Sequence, residues 1–429
     1  MTTEPGHFRS KKSVAQVLAA FTKDKHTPIS AMIEIADRCN EVCIHCYQIQ
    51  GQKGEMSTDE VKSVMDQLAE LGVLMLTISG GEPTLRHDFI ELVEHARKKK
   101  FAVKIFTNGL TMTRELAGKL AALAVQEVQI SVYSHRAEVH DEVTGVRGSW
   151  ERTVAAVRNL RDARVAVVVK TPMMKLNAGE SDAYIDFAIG LGADYMMDPH
   201  MDPREDGDRA PETLRVDPET YARAHFDPRL GGKTRKEEMP GPKDLNASVC
   251  GACSGNVHIE ANGELRPCTQ LTVPVGHAVR DGVKAAWERN EDGAAIRSLT
   301  WQDLHGCRDC ALNRYCGRCY ANAMTEGGDA LGPYLSACTR ARLHYEMRHG
   351  HALELLPPAS DDRVSGLGPF VETAPGVFAH GEDVVTQADL EKRRRHAWIR
   401  QAPSPAGDLV QLRRPGARKK PALAAGGRG

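Results

Sequence analysis

Eleven cysteines fall into two zones of this 429-residue chain. Cys39, Cys43 and Cys46 form one tight run; Cys250, Cys253, Cys268, Cys307, Cys310, Cys316, Cys319 and Cys338 form the other. None lies between 47 and 249, a stretch long enough to have used several as small core residues. The opening MTTEPGHFRSKK lacks the apolar run of a secretory signal, so the chain reads as cytoplasmic. An odd number of cysteines there argues against a disulfide framework and for metal ligation. Yet CNEVCIHCY (39–47) supplies only three thiols, one short of what a structural zinc site or an ordinary iron–sulfur cube takes.

The rest of the chain sets where such a loop would sit. Short β-rich runs at 30–36, 73–79, 102–107, 127–133, 166–171 and 193–198 alternate with helical patterns. In STDEVKSVMDQLAELG (57–72), Ser57 or Thr58 caps a helix whose apolar face is Val61, Val64, Met65, Leu68 and Leu71. Six strand–helix repeats predict a parallel α/β sheet, and six is short of the eight of a full barrel, so the expected fold is a partial (β/α)6 barrel. The expected divisions are an N-terminal segment (1–29), the barrel (30–205), a Pro/Gly-rich linker (206–249), a small cysteine-rich domain organised by metal (250–345) and a disordered tail (346–429). From 392 to 429 that tail holds eleven Lys or Arg against one acid, Asp408. Formal net charge is -1, which gives no whole-chain attraction to nucleic acid or to a membrane surface. No run approaches the roughly 20 apolar residues that span a bilayer.

Parallel α/β folds bind ligands on the loops after their strands, and CNEVCIHCY follows the first. Cys39-x3-Cys43-x2-Cys46 in that place resembles the signature of the radical S-adenosylmethionine enzymes. The resemblance implies a [4Fe–4S] cluster on three thiolates, whose fourth iron takes the methionyl end of S-adenosylmethionine and whose electron yields a 5′-deoxyadenosyl radical. A zinc knuckle or a redox loop is the plain alternative for the triplet alone.

SGGEP (79–83), after the second strand, resembles the family's GGE motif, which receives the cofactor's ammonium group. Ser79, Gly80, Gly81, Glu82 and Pro83 are therefore candidate cofactor residues, with Glu82 as the anionic partner. TNG (107–109) and SVYS (131–134) follow strands three and four, which makes Asn108 and Ser131 candidates for the cofactor's ribose and carboxylate. HDEVTG (140–145) resembles a stretch where many relatives have Arg at the place of Thr144; Lys170, at the end of strand five, is the candidate substitute. The plain reading of Lys170 is a stem lying along a strand end.

The remaining eight cysteines make two complete sets of four. Their order, including Cys253-x9-Gly263-x4-Cys268 and Cys307-x2-Cys310-x5-Cys316-x2-Cys319, resembles the SPASM extension of peptide-modifying radical enzymes. The final gap is two residues where the family has three. The resemblance implies two auxiliary [4Fe–4S] clusters, one on Cys250, Cys253, Cys268 and Cys319, the other on Cys307, Cys310, Cys316 and Cys338. Spacing alone equally allows Cys307, Cys310, Cys316 and Cys319 to share a metal, and two zinc sites are the structural alternative.

The function so implied is hydrogen abstraction from a peptide or small protein, leading to crosslinking, oxidation or decarboxylation, with an electron donor such as flavodoxin or ferredoxin. Modification of a haem or other small-molecule cofactor precursor is the second enzymatic reading. A non-catalytic electron-transfer or scaffold protein is a third, against which a cofactor pocket would speak. About 30 residues precede strand one, too few for a winged-helix leader-binding domain, so a separate leader-binding protein or the basic tail is expected to recognise any leader.

Overall fold

The computed structural model describes residues 27–230, 240–358 and 366–399. All six expected strands form close to their expected bounds: β1 Ser30–Ala36, β2 Met75–Gly80, β3 Ala102–Thr107, β4 Glu127–Ser131, β5 Val167–Pro172 and β6 Asp194–Asp198. They pair in parallel in the order β6-β5-β4-β3-β2-β1, joined by crossover helices as parallel strands require. Helix Thr58–Leu71 starts at Ser57, whose hydroxyl and Glu60 close a capping box, and stops at Gly72, in the left-handed region at φ 98. Val61, Val64, Met65 and Leu68 are its buried face.

The period-2 alternation of strands decides which residues see the interior. Ile33, Ile35, Leu76, Ile78, Val103, Ile105, Val128, Ile130, Val167 and Val169 are buried in the core shared with the helices. Alternate positions, namely Met32, Phe106, Gln129, Ser131, Lys170, Met196 and Asp198, line a cavity inside the barrel instead. Burying each large side chain of the first set contributes roughly 1.5–3 kcal/mol, so the alternation fixes register strongly.

The sheet does not stop at six strands. β7 Asn256–Ile259 runs parallel to β1, from Ser30↔Asn256 to Ile33↔Ile259, and β8 Leu265–Arg266 turns back antiparallel to it. The cysteine-rich region therefore adds two strands to the barrel sheet, and one core cluster runs from Ile33 through Val257, Leu265, Trp287 and Trp301. A buried ionic network crosses the same seam. Lys53 pairs with Glu205 and with Glu260 (3.0 Å), and Arg266 pairs with Glu260 (2.6 Å), Glu264 (2.9 Å) and Glu205 (3.3 Å). The expected linker contains helix Pro218–Phe226, where His225 stacks on His344 of helix Leu335–His349 with ring centroids 4.3 Å apart.

The expectation of a disordered tail from 346 is corrected for residues 346–358 and 366–399. β10 Phe370–Ala374 and β11 Val377–His380 form a hairpin, β9 Glu354–Leu355 pairs with β11, and helix Gln387–Arg395 follows, capped by Thr386. Composition concealed the reason: Phe370, Phe378, Trp398 and Ile399 are all buried, and His396 reaches Asp292 at 2.8 Å. The expected N-terminal segment up to residue 26, and the most basic part of the tail beyond 399, lie outside the described residues. Among the described residues no helix is long and apolar enough to cross a membrane.

Candidate functional site

The loop after β1 is tied at its base by Asp37. Its carboxylate accepts the N–H groups of Lys53 (2.7 Å) and Gly54 (3.1 Å). Farther along, Val42 and Ile44 donate their N–H groups to the carbonyls of Thr144 (2.9 Å) and Val143 (3.0 Å). HDEVTG thus buttresses the cysteine loop. The Thr144 hydroxyl faces Ser149 at 2.7 Å, away from the cavity.

Between these anchors Cys39, Cys43 and Cys46 all line the barrel cavity, which has a volume of about 570 Å³. Burial pushes the Cys39 thiol up to about 12 and raises Cys43 and Cys46 as well. Neutral, desolvated thiols of this kind need a cation to become ligands. Glu41 is likewise pushed up by burial, to about 8, and one of its oxygens is buried without a partner. Among the described residues no three Cys, His, Asp or Glu side chains close on a point as the ligands of a single metal ion do. Three thiols are one ligand short of a structural zinc site, whereas they suffice for three irons of a four-iron cube.

The glycines of SGGEP serve the meeting of two loops. Gly81 and Glu82 donate their N–H groups to the carbonyls of Ala36 (2.8 Å) and Arg38 (2.9 Å). A Cβ on Gly80 would lie 2.3 Å from the Ala36 oxygen, and one on Gly81 2.4 Å from the Arg38 oxygen. Ser79, Gly80 and Gly81 line the cavity, but Glu82 and Pro83 do not. Glu82 is fully buried behind the wall. Its carboxylate accepts from Thr84 N (3.0 Å), Thr107 Oγ1 (2.7 Å) and Asn108 N (2.7 Å), so the donors a bound ammonium would replace are already protein groups.

Asn108 is held on both sides. Its amide nitrogen donates to Asn40 Oδ1 at 2.6 Å and lies 3.8 Å from Cys39 Sγ, while its oxygen accepts from Leu110 N at 3.0 Å. Ser131 and Lys170 share the cavity with it. The Lys170 ammonium sits 3.1 Å from the centre of the Phe106 ring, and burial pulls its pKa down to about 7. Six of the eight expected cofactor residues are thus brought to one wall.

Sequence reasoning missed the far wall. Asp198, His200, Met201 and Asp202 after β6, with Thr269 and Gln270 after Cys268, also line the cavity. His200 Nδ1 lies 2.9 Å from Asp198 Oδ1, and its Nε2 lies 2.7 Å from Tyr221 OH. The signal lay in MDPHMD (197–202), a polar run at a strand's carboxyl end.

Burial raises the pKa of all eight other thiols, and the smaller contributions of neighbouring thiols fall into two groups. Cys250, Cys253 and Cys319 each feel Cys268. Cys310, Cys316 and Cys338 each feel Cys307. Cys307, Cys310, Cys316 and Cys338 also line one small cavity of about 30 Å³. Residues of the expected tail close it: Gly368 N donates to Cys338 Sγ at 3.2 Å and Phe370 N to Cys310 Sγ at 3.4 Å. In the first group Leu271 N donates to Cys268 Sγ at 3.3 Å.

A family model described as Radical SAM superfamily matches residues 33–188. An AdoMet-dependent heme synthase of Methanosarcina barkeri is 28% identical over 70% of this chain and 93% of its own length. The mycofactocin maturase of Mycolicibacterium smegmatis is 37% identical over 43% of this chain and 47% of its own length, so the match spans about half of that protein. A PqqA peptide cyclase of Rhodopseudomonas palustris is 27% identical over 74% of this chain and 88% of its own length. Streptococcus suis SuiB bound to its precursor peptide SuiA shares the fold, with a TM-score of 0.56 and 18% identity over 76% of this chain and 81% of that one.

Proposed function

We propose that this chain, whose residues 33–188 match the Radical SAM superfamily model, is a radical S-adenosylmethionine enzyme with a SPASM-type cysteine-rich extension that modifies a peptide or small protein by abstracting a hydrogen atom. The observation that carries this reading is one cavity walled on one side by Cys39, Cys43, Cys46, Ser79, Gly80, Gly81, Asn108, Ser131 and Lys170, and on the other by Thr269 and Gln270 beside Cys268. A [4Fe–4S] cluster on the three thiols would supply, when bound, the electron that cleaves S-adenosylmethionine to a 5′-deoxyadenosyl radical.

This chain's own residues bind and orient. Ser79, Gly80 and Gly81 present the cofactor's ammonium with backbone at close quarters, and Glu82 holds that turn from behind. Asn108 fixes the cysteine loop against the β3 loop. Lys170 offers the cofactor's carboxylate a cation that burial has left unsolvated. Cys250, Cys253, Cys268 and Cys319 would hold one auxiliary [4Fe–4S] cluster, and Cys307, Cys310, Cys316 and Cys338 the second. The reaction runs in the cytoplasm with a flavodoxin or ferredoxin as donor, and a separate leader-binding protein recruits a leader-bearing substrate.

The test uses anaerobically reconstituted full-length protein, S-adenosylmethionine, a reductant and the short peptides encoded beside its gene. A peptide mass change coupled to 5′-deoxyadenosine formation supports the reading. Coupled turnover of a porphyrin precursor and of no peptide would favour the haem reading.

A further inference from the structure

Arg318 stands between two cysteines in Cys316-Gly-Arg-Cys319, and Cys316 and Cys319 belong to different thiol groups. The residue is 7% exposed. One terminal nitrogen, Nη2, donates to the Gly332 carbonyl. Nε and Nη1 are buried without a well-formed hydrogen bond, the side chain is close enough to Cys307 to act on its thiol, and among the described residues no carboxylate pairs with Arg318. The rings of Tyr320 and Tyr334 flank it, with their centroids 5.8 and 5.9 Å from its central carbon.

A guanidinium cannot shed its proton, so a buried one requires an anion. The groups whose charge acts on Arg318 most are Cys307, ahead of Tyr334, Cys316 and Tyr320. Four thiolates outweigh the charge of an iron–sulfur cube, so a loaded four-cysteine site is anionic, and more so once it has taken an electron. We propose that Arg318 is the counter-charge and hydrogen-bond donor of the cluster site formed by Cys307, Cys310, Cys316 and Cys338, and that it raises that site's reduction potential.

Charge and hydrogen bonds at the sulfurs are the levers by which a protein moves such a potential. The N–H groups of Gly368 and Phe370 on Cys338 and Cys310 work in the same direction. The other group has Arg297, which is only half-buried and donates to the Cys253 carbonyl at 3.5 Å, so solvent screens it, and Arg318 acts there on Cys250 alone of the four thiols. A raised potential lets this site take up the electron that an oxidised substrate gives away.

The inference rests on the auxiliary clusters of the proposed function, and the experiment separates the two. Full-length wild type, Arg318→Met and Arg318→Lys are reconstituted anaerobically, assayed for metal, and titrated by EPR against applied potential. A variant with Cys307 and Cys310 changed to Ala identifies the signal of this site. At the wild-type midpoint, Arg318→Met should show an about tenfold lower ratio of reduced to oxidised cluster, which is about 59 mV for one electron. Arg318→Lys should fall between, the cluster on Cys250, Cys253, Cys268 and Cys319 should shift less, and the cluster on Cys39, Cys43 and Cys46 should keep its midpoint. An unchanged midpoint at full iron content overturns the role of Arg318. Zinc in place of iron overturns instead the cluster reading beneath it. Should Arg318→Met fail to load, wild type labelled with 15N-arginine decides. Pulsed EPR of the reduced site should show a 15N coupling, and its absence overturns the proposal.

Discussion

The carboxylate of Glu82 accepts the backbone N–H of Asn108 at 2.7 Å, so the SGGEP turn after β2 and the TNG turn after β3 are one braced unit. Both turns lean on the cysteine loop, the first through Gly81 and Glu82 N–H groups and the second through the Asn108 amide.

Glu82→Gln therefore sets a donor amide against donors. The loss of a buried charge-assisted hydrogen bond costs about 1.5–3 kcal/mol. Thermal stability should fall and iron should leave the triplet, in step with weaker S-adenosylmethionine binding. Calorimetry on the iron-replete fraction checks this. Weaker binding at unchanged stability would mean that Glu82 meets the cofactor directly.

Lys170 gives a pH dependence. Its pKa is pulled down to about 7 by burial, so its charge is present below that pH and lost above it. If it receives the cofactor's carboxylate, affinity should weaken as pH rises above 7, by at most about tenfold per unit for one linked proton. The unfolded lysine keeps its proton to about pH 10.4, so burial lowers folding stability below that pH. Lys170→Met should then flatten the binding profile and raise the denaturation midpoint of the metal-free protein at pH 7. A pH-dependent affinity surviving in Lys170→Met would assign the dependence elsewhere.

The C-terminal segment gives a metal-content prediction. A basic, disordered tail could be cut after His351 without loss of metal. The N–H groups that Gly368 and Phe370 give to Cys338 and Cys310 say otherwise. Truncation after His351 should lower the iron of reconstituted protein by about four per chain, whereas truncation after Ile399 should not. Equal iron in both would separate the hairpin from the cluster.

The barrel was legible because short β-rich runs such as SAMIEIA (30–36) alternate with helical patterns such as STDEVKSVMDQLAELG (57–72). Ser57 or Thr58 likewise announced a helix start, and the structure chooses Ser57, with Glu60 completing a capping box. The junction with β7 and β8 was also written, as NVHI and LR around Asn262-Gly263, a strong hairpin pair. The density of cysteines drew the reading to metal and away from pairing. In the tail, FVETAPGVFAH alternates around Pro375-Gly376, but averaging over a long charged segment erased two phenylalanines. The enclosure of Glu82 could not be read at all, because its partners Thr84, Thr107 and Asn108 come from separate loops. The sorting of Cys316 from Cys319, three positions apart in the run, was implied by the SPASM resemblance and not by spacing alone.

The central claim is that Cys39, Cys43 and Cys46 hold the cluster that reduces S-adenosylmethionine. The direct measurement is 5′-deoxyadenosine formation by reduced, reconstituted protein with all three changed to Ala, alongside its iron content. The account predicts no cleavage and about eight irons retained of about twelve in the wild type, from three four-iron sites. Cleavage at the wild-type rate by the triple variant would contradict it.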